Sequence, residues 1–136
     1  MRLWHKDLIW ILPRQQLLGQ WRECCLIAKN IKEKGTPNHL LVNKIMDYDI
    51  SHFWCYTVLV VNEMTRRDYK VDFSKFTNHI QHKLIVGVPF NDLFDGWHND
   101  RYCHQCLLNL QEKYDCGGIP EDEYKKIVKN TIVEDL

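Results

Sequence analysis

The sequence predicts an all-α protein, a compact bundle of about three to four helices in which residues 1–136 form a single domain. Apolar side chains recur at intervals of three and four residues in several long stretches, which is the spacing of one face of a helix. Capping residues and helix breakers separate these stretches, which share no internal repeat. A length of 136 residues is also usual for one domain.

The first long helix is predicted to begin at Pro13, because proline is well tolerated at the first position of a helix. The segment before it, residues 2–12, is rich in Leu, Ile and Trp, and we expect it to pack against this helix. Trp4, Leu8 and Ile11 are predicted to share one face of a short helical turn. The buried face of the first helix is predicted to contain Leu17, Trp21, Cys24, Cys25 and Ala28.

Two further elements are predicted after a loop at residues 35–38. The longer one is a second helix from about His52 to Asp68, for which Ser51 is the expected N-cap. The shorter one precedes it and is expected to be buried because it is apolar. Its apolar residues are Leu40, Leu41, Val42, Ile45 and Met46.

The C-terminal third of the chain predicts two more helices. Asn99 or Asp100 is expected to cap a third long helix that runs to about Tyr114. Pro120 is expected to open a last, charged helix over residues 121–130, whose acidic first turn suits the helix dipole.

The charge balance gives no general attraction to nucleic acid, because 18 basic and 18 acidic side chains cancel. No secretory signal is recognisable, and no run approaches the ~20 apolar residues that span a bilayer. We therefore expect a cytoplasmic monomer with no membrane partner, whose six cysteines are reduced thiols. No cofactor is expected.

The residues before and within the first helix resemble a known family. The run LPRQQLLGQWRE, with Gln15, Arg22 and Glu23, resembles the first helix of the pyrimidine-dimer DNA glycosylases of the phage endonuclease V type, and it aligns without a gap from Met1. Residues 52–69 are similar to the second helix of that family. The opening Met-Arg-Leu-Trp-His looks closer still to small bacterial proteins grouped with it, whereas the likeness is poor beyond Asp72.

This resemblance implies an all-α protein that acts on double-stranded DNA with damaged or abasic sites. In the family an N-terminal amine attacks C1′ of the damaged nucleotide, a glutamate assists, and the imine intermediate undergoes β-elimination that cuts the strand. Glu23 matches the glutamate and Arg22 matches an arginine that holds DNA, whereas Leu26 stands where the family has a second DNA-contacting arginine. Further candidates for contacts with DNA are Gln15, Arg14, Arg2, His5 and Trp21.

The resemblance leaves the nucleophile open between two amines. The family uses the amine of a small second residue that is exposed when Met1 is removed, but the second residue of this chain is Arg2. A side chain of this size predicts that Met1 is kept, so that the amine of Met1 is the candidate nucleophile and Lys6 the alternative. An unprotonated amine is a nucleophile that forms imines with sugars, and a nearby carboxylate can move protons.

Two alternatives remain from the sequence. One is a non-catalytic module that binds nucleic acid or another partner on the same scaffold. The other is a zinc-stabilised structural domain, since cysteines three residues apart can bind zinc from one helix face, although a single pair is a weak signal and no metal is expected. The residues concerned in the zinc alternative are His98, Cys103, His104, Cys106 and Cys116.

Overall fold

The structure of the chain is a computed structural model that describes residues 1–80 and 86–131. Four helices of ten or more residues and one helical turn account for most of these residues, and no strand is found among them, which confirms the predicted all-α class. Three short 3-10 helices also occur in the described residues, one before the first α-helix at Lys6–Ile11 and two between α-helices at Asn43–Asp47 and Phe90–Asp92. The α-helices are α1 (Arg14–Lys34), α2 (Ile50–Arg66), α3 (Ser74–Thr77), α4 (Asp100–Asp115) and α5 (Glu121–Asn130).

The observed N-cap residue agrees with the predicted one at α4 and differs from it at α2. Asn99 caps α4, because its side chain accepts a hydrogen bond from the Tyr102 amide at 2.9 Å. The prediction of Ser51 as the cap of α2 is wrong. The carboxylate of Asp49 accepts from the Ser51 amide at 3.0 Å, so that Ser51 lies inside the first turn.

The predicted buried element at residues 40–46 is only partly buried. Val42 and Ile45 have almost no exposed surface, but Leu40 is 86% exposed and Leu41 and Met46 are each about half exposed. The prediction of burial is wrong for these three residues. The chain turns at residues 40–42 and continues as the 3-10 helix Asn43–Asp47, so the apolar residues do not share one face.

Most of the N-terminal segment is buried against the long helices, with Asp7 and Trp10 exposed. The 3-10 helix Lys6–Ile11 packs against α2, and α1 packs against both α2 and α3. Leu3, Leu8 and Ile9 have almost no exposed surface, and they join one apolar core with residues of the four long helices. Gln20 of α1 also bonds to the backbone of Arg2 and Trp4, which confirms the predicted packing of the segment against the first helix. Of the predicted buried face of α1, Cys25 alone is partly exposed.

None of the helices in the described part of the chain combines the length and the apolar character that a bilayer crossing requires.

A buried carboxylate ties α2 to the N-terminal segment. Glu63 on α2 is nearly buried, and it accepts hydrogen bonds from Arg66 at 3.0 Å and Arg67 at 2.7 Å. The Arg67 guanidinium also donates to the carbonyl groups of Leu12 at 2.8 Å and Trp10 at 3.2 Å. Burial raises the pKa of the Glu63 carboxyl, but the hydrogen bonds from both arginines lower it, and the net pKa lies below its ordinary value.

We expect Arg67→Met to lower the free energy of unfolding by about 2 kcal/mol, because it removes charged hydrogen bonds to Glu63 and to two carbonyl groups. A carboxyl with a lowered pKa stabilises the folded state at neutral pH, and this contribution disappears as the pH falls through the folded pKa. The difference in the free energy of unfolding between wild type and Arg67→Met is therefore expected to be smaller in acid. Urea unfolding at pH 7 and at pH 3 measures this difference. Lys125→Met is the control, since its ion pair with Glu121 is exposed and contributes within about 0.5 kcal/mol. An equal effect of both substitutions at pH 7 would contradict the assignment.

Candidate active site

A cleft of about 280 Å³ lies between the N-terminal segment, α1 and α4, and we call it the Glu23 cleft. Four of the nine residues that the sequence singled out for catalysis or DNA contact line it, namely Met1, Arg2, Gln15 and Glu23. The cleft is lined by Met1, Arg2 and Trp4 of the N-terminal segment, Gln15, Gln16, Gly19, Gln20 and Glu23 of α1, Asn109 and Lys113 of α4, and Leu41.

The Glu23 carboxylate faces the backbone of the second residue. The backbone nitrogen of Arg2 donates to Glu23 Oε2 at 3.4 Å, and Glu23 itself is half-buried. The fold thus brings the beginning of the chain to a carboxylate that lies 21 residues further on. This nitrogen is a peptide amide and is not itself a nucleophile, but the contact places the peptide unit next to Met1 beside a carboxylate in a cleft open to solvent, where a carboxylate can act in proton transfer.

Gln20 holds the N-terminal segment in this position. Its side chain is 1% exposed, and its two ends bond to two different backbone groups. Oε1 accepts from the Trp4 amide at 2.7 Å, and Nε2 donates to the Arg2 carbonyl at 3.0 Å. The Tyr56 hydroxyl donates to the Trp4 carbonyl at 2.6 Å and lies 2.9 Å from Gln20 Oε1. Gln20 is one turn before Glu23, so the same helix fixes the segment and carries the carboxylate.

A second set of contacts secures the segment on its other side. The Tyr102 hydroxyl donates to the Leu3 carbonyl, and the Lys6 amide donates to His98 Nδ1 at 3.0 Å. Burial, together with the nearby charges of His5 and Lys6, lowers the pKa of His98 to about 2, so that its ring stays neutral and accepts this hydrogen bond. These roles could not be predicted from the sequence, because the contacts join residues about 90 to 100 positions apart.

Lys6, the alternative nucleophile, lies outside the Glu23 cleft. Its ammonium group donates to the carbonyl oxygens of Phe90 at 2.7 Å, Leu93 at 2.8 Å and Asn91 at 3.3 Å. The residue is 8% exposed. Its amine therefore anchors the loop around the 3-10 helix Phe90–Asp92, and its hydrogen bonds stabilise the fold.

The remaining candidates divide into exposed and buried side chains. Arg22 is exposed, and its guanidinium lies close to Gly19 at the edge of the Glu23 cleft. Arg14 is exposed and lies over the Tyr69 ring at 5.7 Å, away from this cleft. His5 is 3% exposed, and its Nδ1 caps the first 3-10 helix by accepting from the Asp7 amide. Trp21 is 9% exposed and belongs to the core.

The cysteines give no support to a zinc site. All six are free thiols, and no group of three or more His, Cys, Asp and Glu side chains in residues 1–80 and 86–131 is arranged to hold a metal ion. Burial raises the pKa of the Cys103 thiol to about 11 and raises the pKa of Cys106, so both stay protonated. Cys106 Sγ instead accepts a weak hydrogen bond from the Arg2 guanidinium at 3.7 Å.

A family model described as pyrimidine dimer DNA glycosylase matches residues 1–77, which is more than half of the 136-residue chain. The chain belongs to this family. Membership supports a function of the DNA glycosylase type in repair, with DNA as the substrate. A search of curated proteins and a search of solved structures each found no match.

The glycosylase match covers only part of the Glu23 cleft. It includes the N-terminal segment, α1, α2 and α3, and therefore Glu23 and Gln20. Asn109 and Lys113, which line the cleft from α4, lie outside the matched residues. One wall of the cleft thus comes from the part of the chain that the family match does not reach.

We expect Gln20→Leu to lower the free energy of unfolding by about 2 to 3 kcal/mol, because it leaves the Trp4 amide and the Arg2 carbonyl without their partner inside the protein. Hydrogen exchange of the Trp4 amide is expected to become faster at the same time. The control is Gln15→Leu, an exposed position on the same helix where the change stays within about 0.5 kcal/mol. Unchanged protection of the Trp4 amide in Gln20→Leu would show that Gln20 does not hold the segment.

Proposed function

We propose that this protein is a DNA N-glycosylase with abasic-site lyase activity, and that its nucleophile is the amine at the N-terminal end of the chain. The observation that carries the proposal is the 3.4 Å contact between the backbone nitrogen of residue 2 and Glu23 Oε2 in an open cleft. Membership of the pyrimidine dimer DNA glycosylase family supports it. The proposed substrate is double-stranded DNA that contains a damaged pyrimidine or an abasic site.

The proposed reaction has two stages. The unprotonated amine attacks C1′ of the nucleotide, the bond between C1′ and the base breaks, and the base leaves with its electron pair and takes up a proton. Loss of a proton from the attacking nitrogen and opening of the sugar ring give an imine. Removal of a C2′ proton then breaks the bond between C3′ and its oxygen, which cuts the strand, and water hydrolyses the imine.

Glu23 is the proposed proton carrier of both stages. Its carboxylate is half-buried, so it stabilises positive charge at C1′ more strongly than a carboxylate in bulk water. The same group accepts the proton of the attacking amine or of C2′ and returns it to the opening sugar ring. Glu23 Oε2 lies 3.4 Å from the peptide nitrogen that joins Met1 to Arg2, so the carboxylate is next to the residue that carries the proposed amine.

The proposal requires a free amine in the Glu23 cleft. Met1 lines the cleft and carries that amine as long as it is the first residue. If Met1 is removed, the nitrogen of Arg2 becomes the primary amine at 3.4 Å from Glu23. We do not assign the role to Lys6, because three carbonyl groups hold its ammonium group outside the cleft.

The proposed contacts with DNA surround the same cleft. Arg22 at its edge and Arg2 inside it offer guanidinium groups to phosphate oxygens. Gln15 lines the cleft and is exposed, so it can bond to a base or a sugar. Arg14 is exposed at the start of α1, outside the cleft, and is proposed as a more distant contact to the backbone of the duplex. His5 and Trp21 are buried and are left out of the proposed contact surface.

We expect Glu23→Gln to reduce strand cleavage of an abasic oligonucleotide by at least about 100-fold, because it removes the proton carrier and keeps the size of the side chain. Borohydride is expected to trap a covalent adduct between the wild-type protein and DNA that contains an abasic site or a pyrimidine dimer. Glu33→Gln, at the exposed end of the same helix, is the control and is expected to retain full activity.

Failure to trap an adduct with either DNA would rule out the enzymatic proposal. If the protein then bound duplex DNA with an affinity that falls as salt rises, the non-catalytic binding module would replace it. Equal losses in Glu23→Gln and Glu33→Gln would rule out the role of Glu23.

A further inference from the structure

Two leucines stand out from the surface beside the Glu23 cleft. Leu40 is 86% exposed and Leu41 is 51% exposed, in the turn that links α1 to the 3-10 helix Asn43–Asp47. Neighbouring leucines at a loop tip cost free energy by exposing apolar surface to water, and they contribute little to the core. Their exposure therefore suggests a contact with a partner.

The turn that presents these leucines is held by specific hydrogen bonds. The Asn43 side chain accepts from the His39 amide at 3.1 Å, and the Leu41 amide donates to His39 Nδ1 at 3.3 Å. Val42 and Ile45 next to the leucines are fully buried and anchor the turn in the core. The leucines are therefore presented on a fixed support, which lowers the entropy cost of binding.

Leu41 lies between two grooves whose charged side chains are mostly basic, which suits the negatively charged backbone of DNA. It lines the Glu23 cleft, and together with Leu40 it also lines a groove of about 440 Å³ at the start of α4, which we call the Arg101 groove. Of the residues in 1–80 and 86–131 that line the two sites, Glu23 alone is acidic. The basic residues that line them are Arg2, Lys44, Arg101 and Lys113.

We propose that Leu40 and Leu41 form a wedge that enters the base stack of duplex DNA next to the damaged nucleotide, while Lys44 and Arg101 contact the flanking phosphates. This inference rests on the proposed function. The amine and Glu23 must reach C1′ inside the duplex, which requires the base steps around the damaged nucleotide to be distorted or opened. An apolar side chain inserted at a base step lowers the cost of unstacking by filling the gap, as leucines do in other proteins that bend DNA. Leu41, which faces both sites, joins the wedge to the reactive cleft.

The test compares wild type, Leu40→Ala and Met46→Ala on the same abasic oligonucleotide, single-stranded or in a duplex. Met46 is a matched control, since it is 47% exposed in the next helical turn and lines neither groove. Adduct formation in the presence of borohydride gives a rate for each DNA. In a second measurement without borohydride, 2-aminopurine beside the abasic site reports unstacking through its fluorescence when the protein binds.

We expect Leu40→Ala to reduce the ratio of the duplex rate to the single-strand rate by about tenfold and to abolish the rise in 2-aminopurine fluorescence, because the cost of unstacking is no longer offset. Met46→Ala is expected to match wild type in both measurements. Equal ratios and equal fluorescence for all three proteins would overturn the wedge and leave the proposed function intact. Absence of any adduct with wild type would overturn the proposed function, and the fluorescence measurement would still decide the wedge.

Discussion

The pair of hydrogen bonds that Gln20 makes to the backbone of Arg2 and Trp4 is the interaction on which the candidate site depends. A chain end without tertiary contacts is usually poorly ordered. Here a buried side chain of α1 fixes it one helical turn from Glu23, which lies on the same helix. Because one rigid helix holds both the segment and the carboxylate, the distance between the nitrogen of residue 2 and Glu23 does not depend on a flexible loop.

The other contacts extend this constraint to the whole N-terminal segment. Tyr56 on α2 and Tyr102 on α4 bind the carbonyl groups of Trp4 and Leu3, so that together with Gln20 on α1 three helices converge on the backbone of residues 2–4. Lys6 continues the anchoring toward the 3-10 helix Phe90–Asp92. The polar groups of a buried extended segment need partners, and these side chains supply them. Residues beyond the family match thus support the geometry of residues within it.

Periodicity and capping residues were enough to predict the long helices, and the resemblance was enough to single out Glu23. Neither pattern could predict that Gln20 holds the N-terminal segment, since its partners, Trp4 and Arg2, are 16 and 18 residues away in the sequence and meet it only in the folded chain. An apolar run predicted burial for Leu40, yet composition alone does not determine which face a turn presents to water. Lys6 looked available as an amine because its carbonyl partners lie more than 80 residues further on.

The most direct test of the account is to locate the covalent bond in the borohydride-reduced adduct with abasic DNA by digestion and tandem mass spectrometry. We expect the sugar remnant to be attached to the α-nitrogen of the first residue of the mature chain, Met1 or Arg2. Attachment to the side chain of Lys6 or of any other lysine would contradict it.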